Sequence, residues 1–139
     1  MKLNLFTVEE ANRLLTEIRP RFERLVEAKR EFDRVRTRMA VLGLATAGAA
    51  PDNPDVLELR KLQERYNALA ELISNGVSVI HRRGVLIKDL DTGLLDFYAL
   101  HGDRLVFLCW KLGEAEVSHW HALDSGYSDR QPIDHSELE

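Results

Sequence analysis

His119 and His121 stand two residues apart in the run Leu105–Leu123, LVFLCWKLGEAEVSHWHAL. The same run holds the chain's single cysteine, Cys109, both tryptophans, Trp110 and Trp120, and the acids Glu114 and Glu116. In an extended strand a spacing of two puts both imidazoles on one face. Imidazole nitrogen, thiolate and carboxylate are zinc ligands, and two histidines with a carboxylate and open positions suit ferrous iron. A Cys109–His119 nucleophile pair is a second chemistry these residue types allow, but no oxyanion-binding feature accompanies it. The plain alternative is a pair of half-exposed, hydrogen-bonded histidines beside a small buried thiol.

Four alternating stretches must position these groups: Val85–Leu90, Leu94–Leu100, Leu105–Leu112 and Glu116–Ala122. Their period of two predicts strands. Asp91-Thr92-Gly93 suits a three-residue hairpin loop, Gly102-Asp103 a two-residue turn, and Gly113-Glu114-Ala115 a three-residue tip, giving a four-stranded antiparallel meander. Loop length sets register. It pairs Lys88 with Asp96, Asp96 with Cys109, and Cys109 with His119. Asp96, Cys109 and His119 then form a row across three strands about 4.8 Å apart, with His121 two residues further on. One face collects Val85, Ile87, Leu95, Phe97, Val106, Leu108, Trp110 and Trp120 and is expected to cover the helices. The other collects Lys88, Asp96, Tyr98, Cys109, Lys111, His119 and His121. Lys88 and Asp96 are expected to form a cross-strand ion pair. The candidate metal ligands are His121, His119, Asp96, Cys109 and Glu114, and the metal iron or zinc.

Upstream the period is helical. Thr7-Val8-Glu9-Glu10 has the pattern of a capping box. Beyond it Leu14, Leu15, Ile18, Phe22, Leu25, Phe32, Val35, Met39 and Leu42 recur three and four apart. Pro20 is expected to kink this helix. Gly43–Asn53 is small and polar and is expected to be a flexible, disordered connection. Asn53 and Pro54 then cap and open a second helix, running to about Asn75–Ile80. Gly76 either lies inside it or ends it. Two such helices form an antiparallel hairpin with coiled-coil-like packing. The first is rich in arginine, but its acids are interleaved and no aromatic residues stand ready to stack bases, so a solvated face of ion pairs outweighs an RNA-binding arm. The tail from Asp124 is polar. Tyr127 and Ile133 are expected to pack back onto the sheet, Arg130 is long enough to reach the site, and the chain frays from His135.

The 139 residues suit one domain over 1–139, with a helical hairpin at about 7–81, the meander at about 85–122 and a tail at 123–139. A formal charge of −4 argues against a protein that coats nucleic acid. One cysteine forms no internal disulfide, which fits a reducing compartment. No apolar run approaches the roughly 20 residues of a membrane span, and the N-terminus lacks an export signal's apolar core. A cytoplasmic location is expected.

Four segments, FTVEEANRLL, LIKDLDTGLLDF, LCWKLGE and WHALDSGY, occur in an order that resembles a bacterial family known as domain of unknown function 2203. The resemblance covers nearly the whole chain. It rests on Lys88, Asp89, Gly93, Asp96, Cys109, Trp110, Gly113, Glu114, Trp120 and His121. At the position of His119 the family often carries another aromatic residue. The resemblance implies a soluble bacterial protein, supplies no activity, and favours Asp96, Cys109, Glu114 and His121 as the set to test.

The expectation is therefore an α+β protein, a long two-helix hairpin packed on a small antiparallel sheet. Its wide apolar stripe suggests a homodimer. Its function is expected to be the binding of a divalent metal on the sheet. The alternative is a protein-interaction module that works through the hairpin, with the Cys/His/Asp cluster structural.

Overall fold

The structure, a computed structural model, describes residues 4–134. Thr7 starts the first helix, α1 (Val8–Ala45). Its hydroxyl accepts from the Glu10 amide at 3.1 Å, and the Glu10 carboxylate accepts from the Thr7 amide at 2.9 Å. Both orphan donors of the expected capping box are thus satisfied. The helix runs on through Pro20, which removes one backbone bond without ending it. It also takes in Gly43, Leu44 and Ala45, the first residues of the expected connection. That connection is not a structureless linker. The chain turns at 46–48, where Gly48 has a φ of 76°. It turns again at 51–52, and Asn53 then caps the second helix, α2 (Pro54–Arg82), by accepting from the Asp55 amide at 2.8 Å.

The helices are antiparallel. Arg38 meets Glu58, Glu31 meets Arg65, Leu25 lies on Gly76, and Glu17 meets Arg83. Gly76 sits inside α2 where the Leu25 side chain of α1 fills the space a Cβ would take. Several of the arginines and lysines of α1 are tied to nearby acids, as in Arg30–Glu27, Arg36–Asp33 and Lys29–Asp33.

After α2 comes one antiparallel sheet of five strands in chain order: β1 (Val85–Asp89), β2 (Leu94–His101), β3 (Arg104–Lys111), β4 (His119–Ala122) and β5 (Gln131–Pro132). The α+β class holds, with five strands where four were expected. The fifth is two residues long, too short to show alternation in sequence. Leu95, Phe97, Val106, Leu108 and Trp110 point to α1 and form one core with Leu15, Ile18, Phe22 and Leu25. Trp110 meets Phe22 edge-on at 6.1 Å between ring centroids and lies under the Arg19 guanidinium.

Two of the expected connections differ. In the first, the Asp89 carboxylate accepts from the amides of Asp91 and Thr92, drawing Leu90 into the turn. Asp89, not Leu90, therefore pairs with Leu94, and a bulge at Lys88 shifts the rest. Asp96 lies opposite Leu86 rather than Lys88. The shift is two residues in all, so the faces are preserved. The second is the tip between β3 and β4, which is longer than a tight hairpin. Asn12 accepts from the Val117 amide at 2.6 Å, and Arg19 donates to the carbonyls of Glu114 and Ala115. These bonds draw the loop onto α1, yet Cys109 still pairs with His119 as expected. The frayed end expected from His135 lies outside the described residues.

Candidate functional site

Asp96, Cys109 and His121 come from β2, β3 and β4 respectively. Cys109 lies directly opposite Asp96, while His121 lies opposite Phe107 and reaches back across the face. Its Nε2 is 3.0 Å from Asp96 Oδ2. One ligand atom from each of the three residues falls within 4.8 Å of the others. All three are almost fully buried, at 2%, 1% and 4% exposure. The sheet face alone would leave them wet. The segment after β4 roofs them, with Ser125, Gly126 and Tyr127 closing over a cavity of about 120 Å³ that Lys88 and Leu94 also line. The DSGY that follows His121 is the trace of this roof in the sequence, but turn residues carry no period that would aim it at the sheet.

Hydrogen-bond logic fixes a proton here. His121 Nδ1 is 2.8 Å from the Ala122 carbonyl, which can only accept, so Nδ1 carries hydrogen. The other nitrogen faces a carboxylate oxygen at 3.0 Å, and that contact also needs a proton. Either the imidazole is charged beside a carboxylate, or a neutral carboxyl donates to Nε2. The pair is neutral overall in both cases. Burial raises the Asp96 pKa, and the charges of His121 and Lys88 oppose that rise without cancelling it. The second oxygen, Oδ1, is buried without a well-aligned donor among the described residues; the Cys109 thiol is the donor beside this carboxylate, and its hydrogen bonding opposes the rise in the Asp96 pKa.

Cys109 is a thiol in this setting. Burial, and then the neighbouring Asp96 charge, push its pKa up to about 12. Arg130 Nη1, 4.0 Å from the sulfur, acts the other way but does not outweigh them. A thiol held protonated is a poor nucleophile, so the Cys–His nucleophile pair gains no support.

His119 and Glu114 fall in a separate group beside the buried three. Glu114 is gripped by Arg130 at 2.9 and 2.6 Å, and it accepts from the Lys111 amide at 2.7 Å. Burial alone would raise its pKa, but these donors hold it low. His119 is half-buried, with Nδ1 3.0 Å from the Ser118 hydroxyl and 3.9 Å from Glu114. Arg130 links the groups, since it also lies near Cys109 and stacks on Tyr127 at 4.2 Å. Lys88 forms no cross-strand pair with Asp96. Its ammonium rests 4.4 Å from the centre of the Phe107 ring.

A two-helix hairpin backing a five-stranded antiparallel sheet, with an Asp–Cys–His cluster buried on the face away from the helices, defines the class of protein. The chain belongs to the family described as "Uncharacterized conserved protein (DUF2203)", whose sequence profile matches residues 4–133. No curated protein and no solved structure matches it. Among the described residues no helix is long and apolar enough to cross a membrane.

Proposed function

We propose that Asp96, Cys109 and His121 bind one divalent metal ion, and that the ion is zinc in preference to iron. The convergence of three buried donors from three strands supports this reading. Metal–ligand bonds of about 2.0–2.3 Å are compatible with the 3.0 Å between His121 Nε2 and Asp96 Oδ2. A thiolate in the set selects zinc over magnesium or calcium, and a single histidine falls short of the two expected for non-haem iron. Three protein ligands beside a cavity match zinc sites that keep a position for water or substrate, unlike the closed four-ligand structural kind. His119 and Glu114 support the site from outside, through Arg130.

Metal analysis by mass spectrometry on untagged protein tests this. One zinc per chain is expected, lost in Cys109→Ala and His121→Ala but retained in His119→Ala and Glu114→Gln. A wild-type protein that carries no metal and takes up neither Zn²⁺ nor Fe²⁺ would refute the proposal.

A further inference from the structure

The 120 Å³ cavity against the cluster suggests what else the site takes. A volume of this size, against about 30 Å³ for a water molecule in the liquid, admits a ligand of a few heavy atoms. Leu94 and Tyr127 give it partly apolar walls, and Lys88, which also lines it, has its positive charge close enough to act on Asp96. The other cation near the cluster, Arg130, is committed to Glu114 through two short bonds. A divalent ion held by the Cys109 thiolate, the Asp96 carboxylate and a neutral His121 is a site of zero net charge. One further negative charge on the open position would then be balanced by Lys88.

Resting on the metal reading above, we infer that the cavity binds a small monoanion, which completes the metal's coordination and is held by Lys88. The partly apolar wall favours weakly hydrated anions, since little solvation is recovered inside. Lys88 is an exposed side chain whose ammonium rests against the Phe107 ring, so replacing it should leave the fold intact.

The protein is loaded with cobalt(II), whose visible spectrum reports its ligands, and titrated with azide. A saturable spectral change is expected. Lys88→Met should take up one cobalt per chain but bind azide about tenfold more weakly, and Lys88→Arg should recover most of the loss. A cobalt spectrum indifferent to azide would overturn the inference while leaving the metal site standing. Azide binding undiminished in Lys88→Met would remove Lys88 from it. Failure to take up cobalt at all would overturn both the site and the inference.

Discussion

At the scale of single residues, the site is organised by protons. His121 and Asp96 share one because a backbone carbonyl claims Nδ1–H. Cys109 holds another because burial disfavours its thiolate. A metal must displace both to gain its ligands. Zinc uptake at pH 7 should therefore release two protons per ion, read by a pH-indicator dye in weak buffer. Release of one or none would mean that Cys109 or the His–Asp pair is not a ligand. The thiol also sets a pH dependence. Its folded pKa of about 12 lies above the ordinary value of 9.0. The stability this group contributes is complete below pH 9 and is lost as pH rises towards 12. Urea midpoints of the metal-free protein should fall across that window, and fall less in Cys109→Ser. Parallel profiles for the two proteins would show that the thiol is not held protonated by the fold.

At the scale of elements, the close approach of α1 and α2 depends on Gly76. Alanine has the higher helix propensity, by about 1 kcal/mol. Here the added methyl meets the side chain of Leu25, which is buried at 2% exposure and must shift to admit it. Overpacking of this kind costs about 1–3 kcal/mol. Gly76→Ala should therefore lower the melting temperature despite its propensity, and a raised melting temperature would show that the helices part without penalty. The return of Tyr127 and Ile133 onto the sheet was legible in the sequence, but not that the tail closes over the Asp96–Cys109–His121 cluster. Period-two and period-three-to-four patterns mark segments that bury one face. The tail meets the sheet through Tyr127 and Arg130, which interact across turns.

At the scale of the whole molecule, the hairpin outreaches its sheet. The main core takes α1 residues from Val8 to Val26, whereas Val35, Leu42 and Leu69 lie outside it. Val41 and Leu44 at the far end, and Leu72 nearer the sheet, stand at 51%, 85% and 50% exposure. The distal half of the hairpin is thus two helices without a third partner, and short of tertiary packing such helices open readily. In dilute solution its amides should exchange hydrogen faster than those of Val8–Val26. Uniform protection along α1 would contradict this. We propose that a second copy of the chain covers the distal stripe, in which case protection there grows with protein concentration.

The parts of the structure with a local cause were legible in the sequence. Thr7 and Glu10 dictated the start of α1, Asn53 and Pro54 that of α2, and the two periods separated hairpin from sheet. Turn composition and alternation were enough to set Asp96 opposite Cys109, and Cys109 opposite His119. The register of β1 was not legible, because a carboxylate folding back onto the Asp91 and Thr92 amides changed the loop length. Spacing and register did not choose between the two histidines either, although the family resemblance favoured His121. Register put His119 in the row, but side-chain reach and the roof of the tail brought His121 to Asp96, while Glu114 was drawn to Arg130. Only tertiary structure could decide this, since burial, and the raised pKa values of Asp96 and Cys109 that follow from it, come from residues distant in the chain closing over the sheet.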